Sequence, residues 1–436
     1  MDAQLHRLVP LLFLLACPFF LRDGGSTTVH DRAAAVAADL HPVVLLPGHT
    51  CSQLDARLTD EYQTSAAPGC GARKQGNGWF RLWENHTALQ EDPALVPCYA
   101  NQLRLVYDPV AGDYRNVPGV ETRVVGFGTT NNFGSDDPTQ RNNCMRRLVE
   151  ALEAAGYREG ENLFGAPYDF RYAPAPRGQA ASEFSHFVST LRALVERASE
   201  GNGNKPAILV THSHGGLNAI DFLNGVSLPW RRRYIKHFVM VSTGAGGIVA
   251  SLRSLVSGTG SPSSPADVLS FGSTSRSFAS VFSALPSPRV FGRAPLVVTR
   301  ARNYSAHDMP ELLAAAGFSD GEVALYRARA LPVALGFRAP AVPMTCINGA
   351  GVPTVERLVY WDGDFGAEPE VVYGDGDGAV NMASILALDT VIGDDPDQGY
   401  YKSVLIPNAT HGGIMSDDFA LEIVVSEILE ANRATL

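Results

Sequence analysis

The chain has 436 residues, of which 45% are hydrophobic and 18% charged, and a formal net charge of -10. This composition excludes global disorder and allows one large domain with insertions, or two domains. The acidic balance argues against a nucleic-acid partner, because such proteins present a basic face to phosphates.

The N-terminus has the pattern of a secretory signal. His6 and Arg7 precede the apolar run Leu8–Leu21, and polar and small residues follow it. The run is short for a membrane span of about 20 residues, so residues 1–25 are predicted to be a signal peptide, with an uncleaved anchor as the alternative. We therefore expect the secretory pathway: a secreted, vacuolar or lysosomal, or endoplasmic-reticulum protein. In such a protein, Asn-X-Ser/Thr triplets are acceptors for N-linked glycans. The chain has these triplets at Asn85, Asn303 and Asn408.

Short apolar runs mark the strands of a predicted sheet. Residues 42–46 form the first, and Pro47 and Gly48 end it in a tight turn. Helical spacing is found at Cys144–Ala155, Phe184–Val195 and Asp418–Glu430, and strands are predicted at Ala207–Val210, Tyr234–Ser242, Val342–Ile347, Val371–Tyr373 and Lys402–Ile406. This alternation predicts an α/β fold with a mostly parallel sheet that is covered on both faces.

Two stretches interrupt the alternation within the predicted domain at 40–436. Residues 55–120 lack clear periodicity and carry several aromatic side chains. Residues 250–285 are rich in Ser and Gly and lie in a stretch, 248–335, that is predicted to be an inserted cap or lid.

The segment 210–216 predicts a nucleophile. Val-Thr-His-Ser-His-Gly-Gly follows a strand and precedes a helix, close to the G-x-S-x-G elbow that exposes a serine at the top of a sheet. Ser213 occupies the apex, and Thr211 replaces the first glycine. Serine at neutral pH needs a base within hydrogen-bond reach, and the base needs an acid to orient it.

Both partners follow in the chain order of α/β hydrolases, which is Ser, Asp or Glu, then His. Asp375 and Asp377 lie in a glycine-rich loop, and Asp377 is favoured as the acid; the loop does not match a calcium-binding EF-hand. His411 lies on a glycine-flanked loop after the last strand and suits the general base. The side chains of His212 and His214 are expected to pack.

Backbone N–H groups are predicted to stabilise the oxyanion of an acyl-transfer reaction. One is that of His214, which follows the nucleophile. The other is that of His49, in the loop after the first strand.

The six cysteines show no metal-binding spacing, and no metal or other cofactor is predicted. Cys17 would leave with the signal. Cys70 and Cys98 bracket a loop-like segment and are predicted to form a disulfide, whereas Cys51, Cys144 and Cys346 are expected to be buried thiols.

Together these residues resemble the lecithin–cholesterol acyltransferase family, which includes the plant lecithin–cholesterol acyltransferase-like proteins and lysosomal phospholipase A2. The resemblance rests on the segments Pro42–Leu54, Leu103–Tyr107, Ala166–Pro174, Thr211–Gly216, Ala350–Thr354 and Gly374–Ser384. It implies the α/β-hydrolase fold, with Ser213 as nucleophile, Asp377 as acid, His411 as base and oxyanion donors at His49 and His214.

The resemblance also implies that the Cys70–Cys98 disulfide closes a small lipid-contacting subdomain. It places Trp79, Phe80 and Trp83 near the membrane or the acyl chain; without the resemblance, core packing is the expected role of these rings. Two features differ from the family pattern. The segment 243–247 lacks the tryptophan found in relatives, which affects the expected pocket shape, and no later cysteine is present to pair with Cys346.

The expected function is transfer of a fatty acyl group from a phospholipid to an alcohol through an acyl-enzyme on Ser213. A phospholipase A that uses water as acceptor is the alternative within this chemistry. The alternatives from outside it are a lipid-binding protein without activity and a soluble carboxylesterase or peptidase. The expected partners are phospholipids, lipid alcohols and a membrane surface.

Overall fold

The computed structural model describes residues 40–63, 70–71, 78–133, 144–257, 269 and 273–434. The predicted signal segment at 1–25 lies outside the described residues. In chain order, the strands are β1 (Val43–Leu46), β2 (Leu54–Leu58), β3 (Phe80–Trp83), β4 (Leu105–Asp108), β5 (Asp113–Asn116), β6 (Val120–Val124), β7 (Leu163–Gly165), β8 (Ala207–His212), β9 (Ile235–Val241), β10 (Val297–Val298), β11 (Asn303–Tyr304), β12 (Met344–Ala350), β13 (Thr354–Val359), β14 (Glu370–Gly374) and β15 (Tyr401–Pro407).

The helices lie between these strands and over the sheet. They are His86–Glu91, Val96–Leu103, Arg146–Ala154, Ser182–Gly201, His214–Gly225, Leu228–Tyr234, Ala250–Ser257, Ala279–Ser283, Pro288–Phe291, Met309–Ala315, Asp320–Leu325, Leu331–Gly336, Met382–Leu388 and Asp418–Arg433. No helix among the described residues has both the length and the apolar character needed to cross a membrane.

A six-stranded sheet in the order β7-β1-β8-β9-β12-β15 forms the centre, and its neighbouring strands are all parallel. Every residue of β1 and β8 is buried, because helices cover both faces. Ser182–Gly201 and His214–Gly225 pack on one face, and Arg146–Ala154 and Asp418–Arg433 pack on the other. The predicted α/β-hydrolase fold is confirmed.

Between β1 and β7 the chain leaves the central sheet. It forms a three-stranded sheet in the order β3-β2-β6, and a hairpin of β4 and β5. Arg171 and Asp169 connect this region to the rest of the protein. They form a buried ion pair, and the Arg171 guanidinium also donates to Leu103 O and Thr122 Oγ1.

A second, four-stranded sheet has the order β11-β10-β13-β14. Its strands β10 and β11 lie between the central strands β9 and β12, and β13 and β14 lie between β12 and β15. The expectation that Val371–Tyr373 belongs to the central sheet is therefore wrong. These residues lie in β14, which is antiparallel to β13 and partly exposed along its length. A strand at the centre of a covered parallel sheet would be buried throughout.

Two disulfides are present among the described residues. Cys70 pairs with Cys98, as predicted, and Cys346 is a buried free thiol. The expectation for Cys51 and Cys144 is wrong, because these residues form the second disulfide. It connects the loop after β1 to the start of the helix Arg146–Ala154, a link between distant segments that no local pattern indicates.

Removing the Cys51–Cys144 disulfide is expected to lower the free energy of unfolding more than removing Cys70–Cys98. The paired residues are 93 and 28 positions apart, respectively. Chain entropy alone predicts losses of about 4.7 and about 3.6 kcal/mol, because the longer cross-link restricts the unfolded chain more. Urea unfolding of the two double-alanine variants measures this. The reverse order would mean that native packing, not chain entropy, dominates.

The predicted glycan acceptors lie in different surroundings. Asn303 and Asn408 are exposed. Asn85 is half-buried, and its side-chain amide donates to Arg81 O and to the Tyr99 hydroxyl while its oxygen caps the following helix. Asn303 and Asn408 therefore fit better than Asn85 to the surface position that a glycan requires.

Candidate active site

Ser213 lies at the sharp turn between β8 and the helix His214–Gly225. Its φ of 53° and ψ of −126° fall in a region that non-glycine residues rarely adopt. Two hydrogen bonds hold the turn: the Ser213 N–H donates to Val241 O at 2.9 Å, and Thr243 Oγ1 donates to Ser213 O at 3.0 Å. This geometry matches the predicted elbow.

The two glycines after the elbow let its helix approach neighbouring segments. A Cβ atom on Gly215 would lie 2.5 Å from Pro47 O and 2.7 Å from Leu46 O. A Cβ atom on Gly216 would overlap the side chain of Thr243. The loop after β1, which carries His49, is therefore packed directly against the helix that follows Ser213.

The substitution Gly215→Ala is expected to destabilise the protein by about 1–3 kcal/mol and to lower activity. The new methyl group would meet backbone atoms, which cannot move aside as a side chain can. A Cβ atom on Gly225, in the same helix, would have no neighbouring atom within 4 Å, so Gly225→Ala is the matched control. Thermal unfolding of the two variants tests this, and equal stability would contradict the close packing described above.

His411 makes both contacts expected of a base. Its Nε2 lies 2.9 Å from Ser213 Oγ, and its Nδ1 lies 3.0 Å from Asp377 Oδ2. The His411 backbone N–H also donates to Asp377 O at 2.7 Å, which fixes the two loops relative to each other. Three side chains from distant parts of the sequence thus form one continuous chain of contacts.

Asp377 is fully buried, and its second carboxylate oxygen accepts hydrogen bonds from the N–H groups of Ala379 and Val380. Burial alone would raise the pKa of this carboxyl. The hydrogen bond and charge of His411, and the two backbone N–H groups, outweigh burial, so the pKa of Asp377 lies below its usual value. Asp377 is therefore a carboxylate at neutral pH.

The neighbouring aspartate is placed differently. Asp375 is exposed, and its side chain accepts a hydrogen bond from the Gly351 N–H at 2.7 Å. Of the two aspartates left open by the sequence, only Asp377 contacts His411.

His212 has a supporting contact that the sequence did not reveal. Its Nε2–H donates to the carbonyl of His411 at 2.9 Å, and the two rings lie 5.0 Å apart. Burial, and then the nearby His411, lower the pKa of His212 to about 3, so the ring is neutral. The side chain therefore helps to position the His411 loop and adds no charge beside it.

The loop after β1 brings His49 next to His214, with ring centroids 5.8 Å apart. Trp83 Nε1 donates to Thr50 O at 2.7 Å, and the Cys51–Cys144 disulfide anchors the next residue. Burial lowers the pKa of His214 to about 4, so its ring is neutral. The contacts with His214, with Trp83 and through the disulfide therefore fix the loop after β1 beside the elbow.

The three aromatic residues expected to contact lipid differ in burial: Trp83 is buried, and Trp79 and Phe80 are half-buried. Trp83 is 4% exposed and packs on Phe170, so it lies in the interior, and its expected contact with lipid stays a prediction. Its indole N–H requires an acceptor when buried, and Thr50 O supplies it. The guanidinium groups of Arg57 and Arg123 both lie over the Trp79 ring, 5.3 and 4.4 Å from its centroid. Phe80 is half-buried against Tyr99.

A cavity of about 480 Å³ begins at His214 and follows the helix after the elbow. Ala245, in the segment 243–247, is one of its lining residues, and its small side chain takes up little of this volume. Among the residues that the structure describes, no cluster of His, Cys, Asp or Glu is arranged to hold a metal ion.

Known proteins are similar to this chain in sequence and in fold. The family model described as lecithin:cholesterol acyltransferase matches residues 79–311. The lecithin-cholesterol acyltransferase-like 1 protein of Oryza sativa subsp. japonica is 43% identical over 98% of this chain and 93% of its own length. The lysosomal phospholipase A and acyltransferase of Canis lupus familiaris is 32% identical over 85% of this chain and 88% of its own.

Among solved structures, a chain of the Tle4–Tli4 complex matches with a TM-score of 0.50 at 13% identity. The match covers 91% of this chain and 99% of that chain, and it supports the fold alone. The family match spans more than half of the chain, and the rice relative aligns with nearly all of it. The chain therefore belongs to the lecithin:cholesterol acyltransferase family of enzymes.

Proposed function

We propose that this protein is a lipid O-acyltransferase that moves a fatty acyl group from a phospholipid to an alcohol through an acyl-enzyme on Ser213. The observation that carries the proposal is the contact chain from Asp377 through His411 to Ser213 Oγ. A serine, an imidazole and a buried carboxylate in this order form the standard arrangement for activating a serine nucleophile.

In the first half-reaction, Ser213 Oγ attacks the carbonyl carbon of the donor ester and transfers its proton to His411 Nε2. Asp377 accepts the hydrogen bond from His411 Nδ1–H, which holds the ring in the required tautomer and stabilises the imidazolium. The oxyanion receives hydrogen bonds from the N–H groups of His49 and His214. His411 then returns the proton to the departing lysolipid oxygen as the carbon–oxygen bond breaks.

In the second half-reaction, His411 removes a proton from the acceptor, whose oxygen attacks the acyl-enzyme carbonyl. The acyl group leaves Ser213, and the serine oxygen regains a proton from His411. An alcohol as acceptor gives transfer, and water gives hydrolysis, with the same base in both cases. The acceptor site, and not the three contacting side chains, therefore decides between the two outcomes.

Hydrolysis is the second candidate because the dog relative is named both a phospholipase A and an acyltransferase. The disulfides Cys51–Cys144 and Cys70–Cys98 support a location on the secretory pathway, since disulfides persist in oxidising compartments. A membrane surface is the natural source of the lipid substrates.

A product analysis tests the proposal. Purified protein is given phosphatidylcholine with a labelled acyl chain, and diacylglycerol, a sterol and water compete as acceptors. We expect labelled acyl ester on the acceptor alcohol, and a labelled acyl adduct on the tryptic peptide that contains Ser213 when the reaction is quenched early. Labelled free fatty acid alone would support the phospholipase. Neither product, with no adduct, would favour a lipid-binding protein and would contradict the proposal.

A further inference from the structure

One face of the helix His214–Gly225 forms a wall of the 480 Å³ cavity. His214, Leu217, Asp221 and Asn224 recur at the three- and four-residue spacing that aligns side chains along a helix, and all of them line the cavity. At 1.5 Å per residue this wall is about 15 Å long. The wall therefore extends from His214, the residue after Ser213, to a polar region around Asp221 and Asn224.

The near end of the cavity is formed by His214, which is 7% exposed. Because burial lowers the pKa of His214, its ring is neutral and brings no charge to this end. The sides of the cavity are mainly apolar and include Leu217, Ala245 and Phe337.

The far end of the cavity contains charged groups of both signs. Asp221 is half-buried, and no hydrogen bond or ion pair within 4.0 Å joins its carboxylate to a described residue. Burial raises the pKa of Asp221 to about 6, while the more distant Arg177 lowers it. A partly buried carboxylate with this environment is stabilised when a cation approaches it.

Two arginines also line this end. Arg338 is fixed to the helix by a reciprocal pair of hydrogen bonds: its Nε donates to Asn224 Oδ1 at 3.3 Å, and Asn224 Nδ2 donates to Arg338 O at 3.1 Å. Arg177 lies in the segment that follows the buried Arg171 and is exposed. Guanidinium groups are well suited to phosphate oxygens.

We propose that this cavity binds the zwitterionic head group of the phospholipid donor, with Asp221 facing the ammonium and Arg177 and Arg338 facing the phosphate. The inference rests on the proposed function, because a donor ester held at Ser213 places its head group along the adjoining helix. The apolar walls suit the methyl groups of choline, and the volume lies within the about 300–1,000 Å³ usual for small-molecule sites.

An acyl chain is the competing occupant. It would fit the apolar walls, but it would cover Asp221 and two arginines without offering any of them a polar partner. Removing charged groups from water without compensation is unfavourable, so the zwitterion accounts for the far end of the cavity and the acyl chain does not.

Binding measurements in a Ser213→Ala background test the inference without turnover. Titration calorimetry compares dihexanoyl-phosphatidylcholine, dihexanoyl-phosphatidylglycerol and uncharged dihexanoylglycerol, each below its micelle concentration. Asp221→Asn is expected to weaken phosphatidylcholine binding about tenfold and not to weaken phosphatidylglycerol binding. Arg338→Gln is expected to weaken both phospholipids relative to dihexanoylglycerol. Asp221→Lys is expected to favour phosphatidylglycerol.

Glu200→Gln and Arg197→Gln are the charge-matched controls, because both residues are exposed on the helix Ser182–Gly201 and do not line the cavity. The inference is overturned if the Ser213→Ala parent does not bind phosphatidylcholine, or if Asp221→Asn weakens all three lipids equally or none of them. Equal weakening would identify an acyl-chain site. The proposed function is tested separately, by the acyl adduct on the peptide that contains Ser213. A failure of the head-group site can therefore be distinguished from a failure of the proposed function.

Discussion

Replacing Ser213 with alanine is expected to lower kcat for both acyl transfer and fatty-acid release by roughly 10⁶-fold. The hydroxyl is the atom that would form the acyl-enzyme, and its Oγ lies 2.9 Å from His411 Nε2. Within the described part of the chain, no other hydroxyl contacts that nitrogen. Water attacking directly would still benefit from the proposed oxyanion donors and from substrate positioning, so a small residual rate is expected. Rates on labelled phosphatidylcholine, and labelling by a fluorophosphonate probe, measure the effect.

Ser416→Ala is the control for this prediction. Ser416 is a half-buried serine near the His411 loop, and its hydroxyl donates to Gly412 O at 3.3 Å. We expect unchanged rates and unchanged probe labelling in this variant. If Ser213→Ala keeps either its lipid activity or its probe labelling, another nucleophile performs the reaction and the proposed mechanism is wrong.

The central sheet and the elbow were predictable because their signals are local. The strand β1 is an uninterrupted apolar run and β8 begins with one, and the glycines after Ser213 mark a close approach of helix and loop. The histidine loop follows β15 of the central sheet, and parallel strands present their carboxyl ends together, so this loop was predictably placed beside the elbow. The aspartate loop follows β14 of the second sheet, so only its order in the chain pointed to the same place. The distances agree with that placement, while the catalytic roles remain predictions.

Features that depend on tertiary contacts could not be predicted in this way. Cys51 and Cys144 are 93 residues apart in the sequence, and no motif near either of them indicates that they pair. On sequence alone, the short apolar run in β14 could belong to the central sheet or to the second sheet. Its place in the second sheet is set by its pairing with β13. Likewise, Trp83 could be assigned to the interior only when Thr50 and Phe170 were located around it.

The choice between the two aspartates shows the same limit in the site itself. Both lie in one glycine-rich loop, and their sequence surroundings are nearly identical. In the structure, Gly376 packs so closely against Val380 and Thr354 that a side chain at this position would overlap them. The chain therefore turns between the two carboxylates, which leaves Asp375 exposed and Asp377 buried against His411.

Asp377→Asn is accordingly expected to lower kcat by about 10⁴-fold, whereas Asp375→Asn is expected to change it little. The amide at 377 would offer an N–H to His411 Nδ1, which favours the tautomer that carries its proton on Nε2 and cannot accept the serine proton. At position 375 the amide oxygen can still accept the hydrogen bond from Gly351 N–H.

Steady-state rates on phosphatidylcholine, with thermal unfolding as a check of folding, compare the two aspartate variants. The pair isolates the role of the carboxylate, because both substitutions remove one negative charge from the same loop. A general electrostatic effect of that charge would lower the two rates similarly. Only a carboxylate that orients His411 produces a large loss at 377 and a small one at 375, so similar losses would contradict the assignment of Asp377.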